Sequence, residues 1–382
     1  MQTLFPHLIH RTEKELWTAK QRQSHSLQEV PYRACFKAEL PQYFIERYSK
    51  KGNVVFDPFM GRGTTLLTAA LSGRVPAGCD INPLCERMIL PRLNPPDQDA
   101  VRERLERLDL TWKKKIREDL LTFYHPETLS QLHALRDYLL KREKAETLDS
   151  VDAWIRMVAL TRLTGHSSGF FSVYTLPPNQ AVSVESQKKI NVRLKQKPEA
   201  RNIKAIITRK SKDLLKDLSS QDRKVLKKIY TPELVHTRKA QDLSWIEEGS
   251  LNLVVSSPPF LDEVDYVADN WLRCWFCGIE LDTDTNPHIH GKLAGWGDMM
   301  QDVLRELARV LHPKGKIAIE VGEVRKGKIL LEDTVLSAGQ AAGLSPSEIL
   351  INRQNFTKTS NCWGVKNQKQ GTNSNRIVLF EI

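Results

Sequence analysis

The feature that most restricts the fold of this chain is the order of segments around one glycine turn. Asn53–Phe59 (NVVFDPF) is a short apolar run typical of a buried parallel strand. The turn Gly61–Gly63 follows, then Thr64–Leu71 predicts a helix, and Val75–Ile81 predicts a second strand that contains an acid near its end. Strand, glycine turn, helix and strand in this order form the first half of a doubly wound α/β sheet.

The remaining segments predict three parts. Residues 1–95 carry mainly helical N-terminal segments and then the first half of the sheet. Residues 96–230 are rich in amphipathic helical patterns and predict an inserted helical subdomain. Residues 231–382 return to the sheet pattern, with strands expected at 234–240, 251–256, 316–324, 347–356 and 375–382 and helices at 299–312 and 329–343.

The positive charge of the chain is concentrated in the insert. The chain has 57 Lys and Arg against 46 Asp and Glu, a net charge of +11. Residues 185–228 contain fifteen basic and five acidic residues, so this stretch accounts for nearly the whole excess. A basic stretch of this kind favours a phosphate-binding surface, although a solvated helical face would look the same. The candidate DNA contacts are Lys188, Lys189, Arg193, Lys195 and Lys197.

Other features exclude several classes of protein. The chain lacks an apolar run of about 18 residues, and its N-terminus lacks the pattern of a signal peptide, so we expect a cytoplasmic protein without a membrane span. Its six cysteines are scattered, as free thiols in a reducing compartment are. Cys274 and Cys277 have CxxC spacing, but a second ligand pair is missing. We therefore expect buried helix cysteines and no metal.

Two motifs resemble those of a known family. DPFMGRGTT (57–65) and SSPPF (256–260) are similar to the signature motifs of the N4-cytosine/N6-adenine DNA methyltransferases. The surrounding residues, roughly 30–95 and 235–382, resemble that family too, whereas the insert does not. The resemblance implies a Rossmann-like class I methyltransferase fold with a seven-stranded, mostly parallel sheet. It also implies S-adenosyl-L-methionine as cofactor and double-stranded DNA with a flipped base as substrate.

The resemblance also implies a cofactor site around the glycine turn, where backbone without a Cβ allows close approach. Asp80 lies 23 residues after Asp57, at the position where an acid of this fold accepts hydrogen bonds from the ribose hydroxyls. Asp242 would bind the adenine amino group; on local grounds a helix N-cap explains it equally well. The cofactor-binding candidates are Phe36, Lys37, Asp57, Pro58, Phe59, Gly61, Gly63, Thr64, Asp80 and Asp242.

The candidate catalytic residues are Ser257, Pro258, Pro259 and Phe260. Two prolines in succession fix the backbone and supply no N–H donor, so the loop is rigid. The Ser257 hydroxyl and the Pro258 carbonyl would accept hydrogen bonds from the two N–H groups of an exocyclic amine. This would expose the lone pair of the amine nitrogen to the sulfonium methyl group. Phe260 would stack on the flipped base.

The substrate stays open between two bases. Family members with Ser before Pro-Pro mostly methylate cytosine N4, which favours cytosine. Here, however, the cofactor motif precedes the catalytic motif by 200 residues, an order that resembles a subgroup with many adenine-N6 enzymes. An RNA base methyltransferase and a non-catalytic nucleic-acid-binding subunit are further alternatives. The enzyme would act either in a restriction-modification system, with a restriction endonuclease as candidate partner, or as a solitary methylase.

Two further segments carry weaker expectations. Tyr174–Gln180 forms either a base-facing loop or a packing turn. Four acids follow the catalytic motif and are expected on a solvent-exposed face: Asp262, Glu263, Asp265 and Asp269.

Overall fold

The computed structural model describes residues 9–14, 25–33, 35–175, 181–259, 266–280, 293–324, 329–353 and 374–382. The strands are β1 (Arg11–Lys14), β2 (Val54–Asp57), β3 (Val75–Asp80), β4 (Val235–Thr237), β5 (Leu251–Ser256), β6 (Leu311–Val321), β7 (Glu323–Val324), β8 (Ile329–Leu330), β9 (Ser345–Arg353) and β10 (Ser374–Glu381). The helices are α1 (Glu39–Tyr48), α2 (Thr64–Leu71), α3 (Leu84–Leu93), α4 (Gln98–Arg107), α5 (Pro126–Lys144), α6 (Ser150–Leu160), α7 (Val184–Leu194), α8 (Ile203–Leu215), α9 (Ser220–Ile229), α10 (Tyr266–Cys277), α11 (Leu293–Val310) and α12 (Leu331–Ala341).

Eight of these strands form one sheet in the order β1-β9-β10-β6-β5-β2-β3-β4. Strand β10 runs antiparallel to both of its neighbours, and the other pairs are parallel. The predicted α/β fold with a mostly parallel sheet is therefore confirmed. The glycine turn connects β2 to α2 as the sequence predicts, and α2 begins and ends at the predicted residues.

The predicted strand number was one too low, because β1 adds an eighth strand at the sheet edge. It pairs with β9 in parallel register, from Arg11 opposite Ile349 to Lys14 opposite Asn352. The prediction that the N-terminal segments are mainly helical was wrong for residues 11–14. The segment RTEK shows no apolar alternation that would mark it as a strand. An edge strand can be held chiefly by backbone hydrogen bonds while its side chains lie in solvent, so its sequence need not alternate.

Helices cover both faces of the sheet, because successive residues of a strand point to opposite sides. In β2, Val55 packs in a cluster with Phe44 of α1 and Ala69 of α2. Its neighbour Phe56 belongs to the opposite cluster, together with Leu304 of α11 and Val335 of α12. The continuous apolar runs of β2 and β5 reflect burial on both faces.

The insert is helical, as predicted, and packs against the sheet domain. Helices α4 to α9 share one apolar cluster with α2 and α3, in which Trp154 of α6 is fully buried. The Trp154 indole donates a hydrogen bond to the Ser211 hydroxyl at 3.0 Å, so its polar atom is satisfied inside this core. The proposed boundaries near residues 95 and 230 stay predictions.

The buried CxxC residues lie where the sequence places them. Cys274 and Cys277 are on α10 with at most 3% of their surface exposed. Burial raises the pKa of both thiols, that of Cys274 to about 12. No helix among the described residues combines the length and the apolarity needed to cross a membrane.

The glycine turn gives a test of this packing. Gly63 has φ +80°, and a Cβ built there would lie 2.5 Å from Cγ1 of the buried Ile89. Gly63→Ala therefore combines left-handed strain of about 1–2 kcal/mol with an overpacking cost of about 1–3 kcal/mol. Chemical denaturation should show that the free energy of unfolding falls by the sum of these two costs.

Gly52 is the matched control for that substitution. Its φ is +83°, but a Cβ there meets nothing within 4 Å. Gly52→Ala should show the strain cost alone. Equal losses for the two variants would mean that α3 does not pack closely against the turn.

Candidate active site

The candidate site lies where β2, β3 and β5 end side by side. In the sheet, β2 pairs with β3 on one side and β5 on the other, with Phe56 opposite both Ala77 and Val254. The chain proceeds outward from β2 to β3 and β4, then returns to β5 on the other side. Such a point, where the strand order reverses, leaves a crevice at the carboxyl ends of the strands, and ligands of open α/β sheets bind there.

A buried hydrogen bond joins the two sequence motifs. The Ser256 hydroxyl at the end of β5 donates to Asp57 Oδ1 at the end of β2, over 2.5 Å. The Phe59 amide donates to the same oxygen at 3.0 Å, and Asp57 is only 1% exposed. The segments DPFMGRGTT and SSPP therefore face one crevice.

Within the described part of the chain, the buried Asp57 Oδ2 accepts no hydrogen bond of ordinary geometry. The Thr65 hydroxyl donates to the Val255 carbonyl at 3.0 Å and also lies near enough to Asp57 to lower its pKa. Burial raises the pKa of Asp57 to about 7, although Ser256 and the Phe59 amide oppose the shift. An orphaned buried carboxylate oxygen can bind a cationic donor such as an ammonium group.

Asp80 is tied to the glycine turn. The Gly61 amide donates to Asp80 Oδ2 and the Asn82 amide to Oδ1, each over 2.9 Å. Burial raises the pKa of Asp80, whereas these two amide donors oppose the rise. Each carboxylate oxygen keeps further acceptor capacity, since an ionised carboxylate offers about four lone-pair sites. Gly61 takes a positive φ of 47°, which brings its backbone to this carboxylate.

The remaining turn residues are internal to the turn. Pro58 and Thr64 are buried and Phe59 is half-buried. The Thr64 hydroxyl accepts a hydrogen bond from Arg62 Nε at 3.1 Å. Their place in the turn is therefore structural in part, and a role in cofactor binding stays a prediction for them as for the other candidates.

The N-terminal segment before α1 closes over the turn. Arg62 Nη1 donates to the Val30 carbonyl at 2.9 Å and Nη2 to the Phe36 carbonyl at 3.5 Å. The buried Tyr32 accepts a hydrogen bond from Asn82 Nδ2 at 3.2 Å. Phe36 and the adjoining Lys37 are thus held beside the glycine turn, and both are half-buried; their role in cofactor binding stays a prediction.

Ser257 lies against a buried acid. Ser256 pairs with Ile319 in the sheet, which places Ser257 beside Glu320, the next residue of β6. The Ser257 side chain hydrogen-bonds to Glu320, whose pKa is raised by burial. Asn375 Nδ2 donates to Glu320 Oε1 at 2.5 Å from β10. When the Ser257 hydroxyl donates its proton to Glu320, its lone pairs remain available to accept from a ligand.

The loop is also held at its far end. Trp296 of α11, which is 1% exposed, donates its indole N–H to the Pro259 carbonyl at 2.9 Å. Pro258 is buried between the two anchored residues. The two prolyl rings, the Glu320 contact and the Trp296 contact therefore fix Ser257 from both sides. Phe260 lies outside the described residues.

Asp242 is solvent-exposed and caps its own turn. Its Oδ1 accepts from the Ser244 amide at 3.2 Å, and hydrogen bonds with Ser244 lower its pKa. The helix N-cap that the sequence left open as an alternative is not formed, because residues 243–248 contain turns and no helix, and the Ser244 hydrogen bond closes a local turn instead. A contact with the adenine amino group stays a prediction.

The basic residues of the insert fall into two groups. Several hold the fold together: Lys204 donates to the Leu108 carbonyl, Lys210 pairs with Glu29, and Arg223 pairs with Asp97. The five candidate DNA contacts on and after α7 are all exposed, and within the described part of the chain they form no ion pair: Lys188, Lys189, Arg193, Lys195 and Lys197. These five stay the candidates for phosphate contacts.

One expectation for the acids after the catalytic motif was wrong. Asp269 is 8% exposed and pairs with Arg33 at 2.8 Å, because the insert and the N-terminal segment cover this part of α10. The other three acids lie outside the described residues, as do residues 176–180 of the Tyr174 loop.

Sequence reasoning missed three residues of the site: Tyr32, Trp296 and Glu320. Glu320 carries a detectable signal, since an acid within the apolar run IAIEV of a buried strand must have a partner. Trp296 and Tyr32 lie in segments whose pairing with the site depends on the tertiary fold, so local patterns do not reveal them.

The comparisons with known proteins agree with these motifs. Residues 9–90 match the model of a DNA methylase family, N6_N4_Mtase. The type II methyltransferase M.BsoBI of Geobacillus stearothermophilus is 23% identical over 301 residues, 72% of this chain and 58% of the relative. The type II methyltransferase M.MjaII of Methanocaldococcus jannaschii is 38% identical over 69 residues, 18% of this chain and 13% of the relative.

The resemblance to the N4-cytosine/N6-adenine DNA methyltransferase family is confirmed. The chain spans less than two thirds of the length of either relative. Among solved structures, the rRNA methyltransferase aviRa of Streptomyces viridochromogenes is 11% identical, with 94% of this chain and 90% of that chain covered and a TM-score of 0.37. The fold itself follows from the strand order.

The raised pKa of Asp57 gives a measurable consequence. Its folded pKa of about 7 exceeds the unfolded value near 3.9, so the folded state binds more protons between these two values. The free energy of unfolding should therefore fall as pH rises from about 4 to 7, by up to about 1.4 kcal/mol per pH unit from this group. Asp57→Asn should remove this part of the slope in denaturation curves collected across that range.

Asp242→Asn is the control for this measurement. Asp242 is exposed and its pKa is lowered, so its removal should not flatten the decline between pH 4 and 7. An Asp57→Asn variant with the slope of the unmodified chain would contradict the buried, raised-pKa carboxyl group.

Proposed function

We propose that this chain is an S-adenosylmethionine-dependent DNA methyltransferase that modifies the exocyclic amino group of a flipped base. The observation that carries the proposal is the Ser256–Asp57 hydrogen bond, because it brings the rigid prolyl loop next to the glycine turn. Cofactor and target must share one crevice for a direct methyl transfer, and the two motifs line one.

The residues present fit the polar parts of the cofactor. The unsatisfied Asp57 Oδ2 suits the ammonium group of its amino acid part. Asp80, held by the Gly61 and Asn82 amides, suits the ribose hydroxyls. Gly61 is half-buried and has no Cβ, which allows a ligand close approach to its backbone. When bound, the cofactor supplies a methyl group on a positively charged sulfur.

The prolyl loop would bind and orient the target amine. The Ser257 hydroxyl, with its proton directed to Glu320, accepts one amine N–H, and the Pro258 carbonyl accepts the other. The nitrogen lone pair is thereby turned away from the base ring and toward the methyl group. The raised pKa of Glu320 makes it a suitable proton acceptor, so the amine proton can pass to Ser257 while the hydroxyl proton passes to Glu320.

Cytosine N4 is the base position we favour, because a serine precedes the two prolines. Adenine N6 is the second candidate, supported by the order of the motifs along the chain. The name type II methyltransferase of both curated relatives supports a restriction endonuclease as functional partner, and we include it in the proposal.

The test is incubation with labelled S-adenosylmethionine and mixed-sequence DNA, then mass spectrometry of the nucleosides. N4-methylcytosine is expected, and N6-methyladenine would select the second candidate. Ser257→Ala removes one amine acceptor and should lower methyl transfer by about 10²–10³-fold, as the loss of one transition-state donor or acceptor does elsewhere. Titration calorimetry should show nearly unchanged cofactor binding.

Ser250→Ala is the matched control, since Ser250 precedes the same strand at the opposite end and should have no effect on activity. Full activity of Ser257→Ala would refute the loop chemistry. Label in RNA but not in DNA would refute the substrate class. Cofactor binding without methyl transfer to either nucleic acid would favour a non-catalytic subunit.

The exposed basic residues of α7 give a second test. We propose that they contact DNA phosphates, which positions the duplex without reading its sequence. Replacing Lys188, Lys189 and Arg193 by Gln should weaken DNA binding and reduce the slope of log K against log[salt] by about one per lost contact. Fluorescence anisotropy with a mixed-sequence duplex at several salt concentrations measures both effects.

Lys224, Lys227 and Lys228 of α9 are the control set. They are exposed as well, but Val225 of this helix lies near Gly73, at the amino end of β3 and away from the site. Their replacement by Gln should leave the slope unchanged. If the α7 variant kept the salt slope of the unmodified chain, α7 would not be part of the DNA-binding surface.

A further inference from the structure

Three polar side chains lie in a row across one face of the sheet, beginning at the prolyl loop. Ser257 follows β5, Glu320 lies near the end of β6, and Asn375 lies near the start of the antiparallel β10, so all three are at the same edge. Glu320 pairs with Ile377, and Asn375 is two residues from Ile377 on the same face of β10. Because β6 lies between β5 and β10, Glu320 has one polar neighbour on each side.

The Glu320 carboxyl group is hydrogen-bonded from both of these strands. The Ser257 side chain bonds to it from β5, and Asn375 Nδ2 donates to its Oε1 at 2.5 Å from β10. Glu320 is only 5% exposed, so these contacts rather than bulk water determine its orientation. Two hydrogen bonds from opposite sides restrict the rotation of the carboxyl group, as the supporting partners of functional groups do.

The backbone that carries Asn375 is itself fixed. Strand β10 is hydrogen-bonded to β6 on one side and to β9 on the other. Asn375 pairs with Asn352 of β9, which is fully buried. Only the short side chain of Asn375 therefore has to be ordered for its amide to reach Glu320.

The protonation of Glu320 depends on the same two neighbours. Burial raises the pKa of Glu320, and its hydrogen bonds with Ser257 and Asn375 oppose the rise. Helix α1 packs against β5 and β6, but no titratable group on it, on the segment before it or at the end of β2 adds to these influences: Lys37, Glu39, Tyr43, Glu46, Arg47, Tyr48 and Asp57. The Asn375 amide thus favours the carboxylate without a full positive charge, which would hinder Glu320 from taking up a proton.

We propose that Asn375 is a positioning residue that holds Glu320 toward Ser257, ready to take up the proton that methyl transfer releases. The inference rests on the proposed function. One N–H bond of the target amine breaks for each methyl group that its nitrogen gains. The amine proton passes to the Ser257 hydroxyl, and the hydroxyl proton passes to Glu320 and later to solvent. Asn375 acts in this sequence only through Glu320.

The test is the pH dependence of methyl transfer to mixed-sequence DNA by Asn375→Leu, which removes the donor and nearly keeps the side-chain volume. Glu320 must be ionised to accept a proton, so kcat should fall as pH falls through its pKa. Loss of the Asn375 donor raises that pKa, and this acid limb of the profile should move up by about one pH unit. KM for DNA and cofactor binding in calorimetry should stay the same. Asn375→Ala should move the acid limb in the same direction, which separates the lost donor from altered packing.

Asn252→Leu is the matched control. Asn252 lies at the opposite end of β5, where its Oδ1 accepts from the Val54 amide at 2.9 Å. The same substitution there should lower the free energy of unfolding and leave the acid limb in place. Glu320→Gln should abolish the acid limb, and adding Asn375→Leu to it should not lower the residual kcat further, because the two side chains act as one unit.

Three results would overturn the positioning role. These are an unmoved acid limb in both Asn375 variants, an equal loss of kcat at every pH, and a further loss when Asn375→Leu is added to Glu320→Gln. Any of them in a chain that methylates DNA removes this inference and keeps the proposed function. An unmodified chain that transfers no methyl group to DNA contradicts both.

Discussion

The arrangement of the site depends on a buried carboxyl group shared by two strands. Asp57 ends β2 and Ser256 ends β5, and their hydrogen bond closes the seam at which the strand order reverses. A buried carboxylate without full solvation is unfavourable unless a cation or enough donors compensate it. Within the described part of the chain, Oδ1 has two donors and Oδ2 accepts no hydrogen bond of ordinary geometry, so the burial of this carboxyl group is only partly compensated.

The surrounding turn is tightly packed, and this packing keeps the carboxyl group buried. A left-handed Gly63 packed on Ile89, the Gly61 amide on Asp80 and the Arg62 contacts to the N-terminal segment leave the turn few alternatives. If the turn could relax, water would reach Asp57 and its pKa would return toward the ordinary value. Tight packing thus maintains the electrostatic property that suits the site to a cationic ligand.

The sequence predicted those parts of the fold that depend on local patterns. The β2–turn–α2 unit and the strand β5 were placed correctly because burial on both faces and the glycine turn leave a clear signal. β1 was missed because an edge strand carries little side-chain pattern. Asp269 was misjudged for a different reason: whether an acid is exposed depends on which segments cover it, here the insert and Arg33.

The basic residues likewise show that composition does not reveal which side chains tertiary contacts occupy. Fifteen cations in residues 185–228 predicted one surface, but composition cannot separate a lysine that donates to a backbone carbonyl from one that faces solvent. The structure divides them: Lys204 and Arg223 satisfy carbonyl groups at the ends of other segments, while the cations of α7 lie beside exposed Val192 and Leu194. A cationic surface alone binds any polyanion, so the charge on α7 predicts contacts with phosphates and no choice of base sequence.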